Sequence, residues 1–303
     1  MSCTFTVCFS LSGSKKHEDS PRLGKFPQGH PNLIRLLGFT RDDKSRQQQP
    51  IPLVTAERAL QTSGPNDEFG LLIEAGQCDL FELITTQHPE RYGFTWSVPS
   101  AIRAMLDIAS GVAALHDATV AHIDLKPENI ILVNGRFKVT DFGGSVDMSE
   151  DASRAAQTMH VWTPLYLAPE LEMILSSASR PRHIRADTDH IDLFNTDVWA
   201  VGIIMLMIMA RVLLPGQYRQ ESIPNWRFWQ EENAMMDFPF PPDYFRLVSK
   251  CLEVHPDDRP AMPEVLAVLE GSMTMDQVLA NDTEEGSDLS LFSPAGSEDT
   301  FSP

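Results

Sequence analysis

The chain holds 303 residues, 42% hydrophobic and 22% charged, with 42 acidic against 24 basic side chains. That length sets a prior of two domains or one large one, with enough apolar material for a packed core. A net charge of −18 excludes a generally basic nucleic-acid binder, whose phosphate contacts need clustered Lys and Arg.

The N-terminal stretch 1–11 lacks a positively charged start and interleaves hydroxyls with apolar residues, so it does not read as a targeting segment. Within it, 4–11 alternates like a strand. Four scattered cysteines, Cys3, Cys8, Cys78 and Cys251, suit neither a disulfide scaffold nor a paired-cysteine metal site. They read as reduced thiols in an intracellular protein, cytoplasmic or nuclear. Apolar runs at 33–39 and 70–73 predict strands, separated by a polar, turn-rich excursion at 41–68. Ser97-Val98-Pro99-Ser100 is a helix start signal. Ile102, Met105, Leu106, Ala109, Val112 and Ala113 then recur at helical spacing through His116. Strands at 130–133 and 137–140 flank Asn134-Gly135, a pair suited to a two-residue hairpin turn.

A second polar interruption covers 176–190. The longest apolar run, 198–210, is 13 residues and stops at Arg211. A bilayer crossing needs about 18, so this run predicts a buried core helix and no membrane partner. Tyr244, Leu247, Val248, Cys251 and Leu252 form an amphipathic face ended by Pro256; Met262, Val265, Leu266 and Leu269 form another. From Gly271 the chain has seven acidic residues and no basic ones, and 271–303 is expected to be a disordered acidic tail. Strands early and helices later make the fold class α+β.

The chemistry concentrates in His122-Ile123-Asp124-Leu125-Lys126-Pro127-Glu128-Asn129, followed after the hairpin by Asp141-Phe142-Gly143. Phosphoryl transfer needs a carboxylate near the attacking hydroxyl, a cation at the moving phosphoryl, and oxygen ligands for Mg2+. Asp124, Lys126, Asn129 and Asp141 supply these groups. The hairpin should return Asp141 beside Asn129, with Gly143 allowing the sharp backbone turn that follows.

At these residues the chain resembles the eukaryotic protein kinase superfamily, whose signatures are H-R-D-L-x-x-x-N, D-F-G and A-P-E. Ala168-Pro169-Glu170 supplies the third. Asp197-Val198-Trp199-Ala200-Val201-Gly202 is similar to the family's buried central helix, and His255-Pro256-Asp257-Asp258-Arg259-Pro260 to the loop before its last helices. The resemblance implies a two-lobed fold, a small β-rich lobe over a large helical one, and ATP and Mg2+ as cofactors. It makes Asp124 and Lys126 catalytic, Asn129 and Asp141 metal ligands, Glu170 and Arg259 a buried ion pair, and Asp197 a structural residue. Gly29-His30-Pro31-Asn32-Leu33 resembles the loop after the small-lobe helix, and Leu71-Leu72-Ile73-Glu74-Ala75-Gly76 the strand entering the hinge. Ile73 then becomes the gatekeeper, Glu74 and Gly76 present backbone to the adenine edge, Asp79 sits near the ribose, and Ile131 forms part of the adenine floor. Lys126, two residues past the catalytic aspartate, follows the Ser/Thr kinase pattern, and Thr163 matches the threonine that closes the peptide site. The implied partner is a protein substrate with a Ser or Thr acceptor.

The chain departs from the family at two places. Ile123 stands where most members carry an Arg that pairs with a phosphate on the activation segment; Ser153 and Thr158 are candidate phosphosites there. Residues 1–28 contain no Gly-x-Gly-x-x-Gly, no lysine in the expected strand register and no helical glutamate; Lys15 and Lys16 read as a solvated pair. The expected organisation is a truncated small lobe over 1–74, a large lobe over 75–270, and the tail. A catalytically impaired interaction module stays open beside the enzyme. His160, His183 and His190 are not spaced as a metal set. Arg180, Arg182 and Arg185 read as a solvated loop, and Ser293-Pro294 and Ser302-Pro303 as possible proline-directed phosphosites.

Overall fold

The computed structural model describes residues 27, 29–42, 49–52, 68–149, 163–176, 192–211 and 240–285. The strand at 4–11, Lys15, Lys16, Ser153, Thr158, the three histidines and three arginines just named, Ser293 and Ser302 lie outside them.

β1 (Leu36–Asp42), β2 (Gln49–Pro52) and β3 (Glu68–Ile73) form an antiparallel sheet in the order β2-β1-β3. The first strand begins later than its apolar pattern suggests. Leu33 instead makes a single parallel bridge to Val139, because Asn32 and Ile34 bond the chain that leads to the candidate site. The excursion at 41–68 also contributes structure: β2 pairs with β1 from Gly38↔Pro52 to Arg41↔Gln49. Pro50 and Pro52 sit two residues apart, so both missing N–H groups fall on one side of an edge strand, where no ladder bond is lost.

A second sheet, β4-β6-β7, joins Cys78–Asp79, Ile130–Val133 and Arg136–Val139. Its hairpin turns on Asn134 (φ 49°) and Gly135 (φ 78°), both left-handed, as a two-residue turn of matching twist requires. β5 (Val120–Ala121) pairs with β8 (Val146–Asp147). Asp79 also caps α1 (Leu80–Thr85), accepting the Glu82 N–H at 2.7 Å.

The remaining elements are helical: α2 (Val98–Asp117), α3 (Pro169–Ser176), α4 (Leu193–Ala210), α5 (Pro242–Cys251), α6 (Met262–Glu270) and α7 (Met275–Glu285). The α2 start forms as its sequence predicts. The Ser97 N–H donates to Ser100 Oγ (2.8 Å) and the Ser100 N–H to Ser97 Oγ (3.2 Å), a reciprocal cap. α4 is apolar on every side because it is buried on every side, with Trp199, Ile203, Met205 and Ile208 at 1% exposure or less. By length and apolar composition α2 and α4 could each span a bilayer, yet 89% of α4 lies inside the protein. α5 stops at Cys251, before Pro256, which opens a short 3-10 turn (Pro256–Asp258) instead.

The disordered tail is corrected over its first part. Gly271 ends α6 in the left-handed conformation, and α7 follows, burying Met275 (1%) and Val278 (0%) in the main core. Two apolar residues three positions apart meet the core, and Asp276 pairs with Arg246 at 2.6 Å. Average composition had hidden that short face. Met275→Ala is accordingly expected to cost about 2–5 kcal/mol of stability, read as a lower urea midpoint with an unchanged slope.

Candidate active site

The loop after β5 is held from beneath by one carboxylate. Asp197, on α4 and 1% exposed, accepts the His122 N–H at 2.7 Å and the Ile123 N–H at 2.8 Å. His116 Nε2 lies 3.0 Å from the same group. These bonds fix an unusual backbone: Ile123 has φ 71°. A β-branched residue there costs on the order of 1–3 kcal/mol, so its surroundings must over-determine it. The His122 ring donates from Nε2 to the Thr140 carbonyl at 2.9 Å, tying the loop to the end of β7.

Asp124 emerges from this scaffold with 5% exposure. Lys126 Nζ donates to Asp124 Oδ2 (2.6 Å) and to Thr163 Oγ1 (3.0 Å), and the Thr163 hydroxyl donates to Asp124 Oδ1 (2.9 Å). Asn129 donates its amide to the Asp124 carbonyl (2.8 Å) and to Oδ2 (3.3 Å). Asp124, Lys126 and Asn129, grouped by their spacing, and Thr163, assigned through the family resemblance, thus form one closed hydrogen-bonded group, although Thr163 lies 39 residues from Asp124.

Asp141 joins them through the backbone: the Thr140 N–H donates to the Asn129 carbonyl at 2.9 Å. The sharp turn falls on Asp141 itself (φ 60°, ψ 69°) and not on Gly143, which lies in a 3-10 turn (Phe142–Gly144). Aspartate tolerates this conformation because its own side chain accepts the Gly143 N–H, at 3.4 Å. Asn129, having spent its amide nitrogen on Asp124, has its carbonyl oxygen left as a hard ligand. One amide oxygen and one carboxylate suit Mg2+, which keeps waters and shares phosphate oxygens instead of filling a protein cage. Among the described residues no group of three or more His, Cys, Asp or Glu could hold a metal ion.

The residues expected to bound the adenosine are spread over two sheets. Ile73 closes β3 opposite Leu36, and Asp79 pairs with Ile131 across β4 and β6. Gly76 packs so closely on β6 that a Cβ would come within 2.1 Å of Ile131 Cγ2. Asn129 closes a 3-10 turn (Pro127–Asn129) immediately before β6, two residues ahead of Ile131. Burial outweighs the cap bond and holds the Asp79 carboxyl above its usual range. Burial, with Glu82 and Asp79 nearby, pushes the Cys78 thiol up to about 12, so it stays a protonated core residue.

Glu74 is also tied down by its side chain. Its Oε1 accepts the Arg35 N–H (2.8 Å) and Lys138 Nζ (2.6 Å), a contact nothing in the local sequence signals. Burial first, and Lys138 second, lower the pKa of His30 from 6.5. The unfolded chain therefore takes up that proton first as the medium is acidified. Stability is full above pH 6.5 and falls as pH drops from there toward the lowered folded value. His30→Gln is expected to flatten that part of the urea-stability profile.

Arg259 donates to both oxygens of Glu170 (2.7 and 2.8 Å), and both residues are buried. Sequence reasoning missed His116 and Asp107, the latter buried and accepting from Phe137 N–H (3.0 Å) and Arg136 (2.7 Å). Both sit on α2, where helical periodicity marks apolar positions and is silent on buried polar ones.

The description of the protein kinase domain matches residues 23–268. Among curated proteins the chain is similar to the serine/threonine-protein kinase mph1 of Schizosaccharomyces pombe, 25% identical over 261 residues, 79% of this chain and 36% of that protein. It is similar also to CBL-interacting serine/threonine-protein kinase 5 of Arabidopsis thaliana, 30% identical over 170 residues, 55% of this chain and 34% of that protein. Dual specificity protein kinase TTK of Mus musculus is 28% identical over 173 residues, 56% of this chain and 19% of that protein. The chain spans roughly a third or less of the length of these relatives. With the signature residues gathered at one site and the domain matched over most of its length, the chain belongs to the protein kinase family.

Proposed function

We propose that the chain is a protein serine/threonine kinase that moves the γ-phosphoryl of ATP to a Ser or Thr hydroxyl of a protein substrate. The observation that carries this reading is the closed group of Asp124, Lys126, Thr163 and Asn129. Asp124 orients the acceptor hydroxyl and takes its proton as the new P–O bond forms and the β–γ bridging bond breaks, releasing ADP. Lys126, already beside that carboxylate, offsets the charge on the moving phosphoryl. Thr163 fixes the edge where the peptide enters. Asn129 and Asp141 would hold Mg2+, which supplies charge neutralisation between the phosphates. Ile73, Glu74, Gly76, Asp79 and Ile131 would bound the adenosine. The scattered cysteines favour a cytoplasmic or nuclear setting.

A second reading, a non-catalytic interaction module, is motivated by the absence of Gly-x-Gly-x-x-Gly from residues 1–28. Two measurements separate the readings. Phosphate incorporation into generic protein substrates should exceed that of Asp124→Asn; equal signals would sink the enzyme. A thermal midpoint raised by ATP with Mg2+ would count against the bare scaffold.

A further inference from the structure

We propose that Ser145 is a positioning residue: its hydroxyl is joined to Nδ1 of His122 through one buried water. That link holds the His122 ring in the tautomer that braces the catalytic loop against the strand leading to Asp141. The inference rests on the kinase reading above.

Two buried polar atoms, His122 Nδ1 and Ser145 Oγ, have no hydrogen-bond partner among the described residues. They are chemically complementary. The other ring nitrogen of His122, Nε2, lies 2.9 Å from the Thr140 carbonyl, an oxygen that can only accept. Nε2 therefore carries the proton, and Nδ1 of the neutral ring is left as an acceptor. The Ser145 hydroxyl can donate. The His122 ring is enclosed, at 0% exposure, so bulk water does not reach it, and an unmet buried polar atom is costly.

The strand register brings the two residues together. β5 and β8 pair through Val120↔Asp147 and Ala121↔Val146, and the next residues along that register are His122 and Ser145. Their backbones are engaged elsewhere: the His122 N–H by Asp197 (2.7 Å), the Ser145 N–H by the Phe142 carbonyl (3.1 Å). Between Phe142 and Ser145 the chain is Gly143-Gly144, which has no side chain to place between them. One water donating to Nδ1 and accepting from Ser145 Oγ satisfies both atoms, the ordinary role of buried water. The consequence for the reaction runs through Thr140. Its carbonyl accepts from His122 and its N–H donates to the Asn129 carbonyl (2.9 Å), so the ring steadies the residue from which Asp141 departs. In the other tautomer Nε2 turns a lone pair toward that carbonyl and the bond is lost.

The test uses the full chain with nitrogen-labelled histidine, whose magnetic resonance shows which ring nitrogen carries the proton. The His122 signal is assigned by its loss in His122→Gln. In the wild type His122 should be protonated at Nε2 alone, and in Ser145→Ala it should become a mixture of tautomers. Ser145→Ala is also expected to lower kcat about threefold to tenfold, the worth of one hydrogen bond. Its KM for ATP should stay within about twofold. Ser145→Thr, which keeps the hydroxyl, should restore the single tautomer. A crystal structure should show one ordered water within hydrogen-bond reach of both atoms; a dry contact there overturns the bridge. Ser145→Ala with the wild-type tautomer overturns the positioning claim. So does a Ser145→Thr that behaves like Ser145→Ala, since shape and not the hydroxyl would then be at stake. If wild type transfers no phosphate at all, the kinase reading falls, and the tautomer spectra alone judge the link. Should Ser145→Ala fail to fold, the wild-type spectrum decides: a His122 ring protonated at Nδ1 overturns the claim.

Discussion

Asp124→Asn is expected to lower the rate of phosphate transfer by about 10²–10⁴-fold, the range for loss of a positioned general base, while leaving the fold and nucleotide affinity nearly intact. The loop conformation does not depend on this side chain: Asp197 holds the backbone N–H groups of His122 and Ile123, and Asn129 donates to the Asp124 main-chain carbonyl. What the amide loses is local. It cannot take a proton at neutral pH, and its NH2 group faces either Lys126 or Thr163, each of which donates to a carboxylate oxygen in the wild type. Steady-state kinetics with a Ser/Thr peptide should therefore report a fall in kcat with KM for ATP within a few-fold. A fall in nucleotide affinity equal to the fall in kcat would mean that Asp124 serves binding and not the transfer.

The site was legible in sequence to the extent that its chemistry is local. Asp124, Lys126 and Asn129 lie within one short loop, and the Asn134-Gly135 turn fixes the distance over which Asp141 must return. Thr163 could be assigned only through the family resemblance, since 37 residues separate it from Lys126 and no periodicity links them. Pairings made through space left no trace. Glu74 with Lys138, His116 with Asp197 and Asp107 with Arg136 each join elements that alternation and helical spacing describe one at a time. The misjudgements have a common cause as well. The acidic segment after Gly271 and the polar run after β1 were judged by average composition, yet Met275 and Val278 suffice to dock α7, and β2 needs only one free edge of a sheet to pair with. The turn at Asp141 follows the same logic at the scale of one residue, because a side-chain bond to the Gly143 N–H makes aspartate acceptable where glycine was expected.

Arg259→Met should be the most destabilising single change among the described residues outside the hydrocarbon core, at about 3–5 kcal/mol. The guanidinium is fully enclosed and every one of its N–H groups is used. It binds both Glu170 oxygens, and it also donates to the carbonyls of Glu253 (2.8 Å), Asn195 (2.9 Å) and Val254 (3.2 Å). Trp199 lies under it, 5.0 Å from ring centroid to guanidinium carbon. Removing it strands a buried carboxylate and three carbonyls together. For a chain of this size that corresponds to a melting point lower by roughly 5–8 °C. Glu170→Gln should cost less, because an amide keeps the shape and the arginine keeps its three carbonyl acceptors. The double variant Glu170→Leu with Arg259→Met discriminates between two origins of the loss. If the stranded charge dominates, the double change recovers most of the stability, as apolar replacement of a buried pair often does. The geometry predicts only partial recovery, because the carbonyls of residues 195, 253 and 254 still lack a donor. Urea unfolding of the three variants measures this, and full recovery in the double variant would show that those carbonyls find other partners.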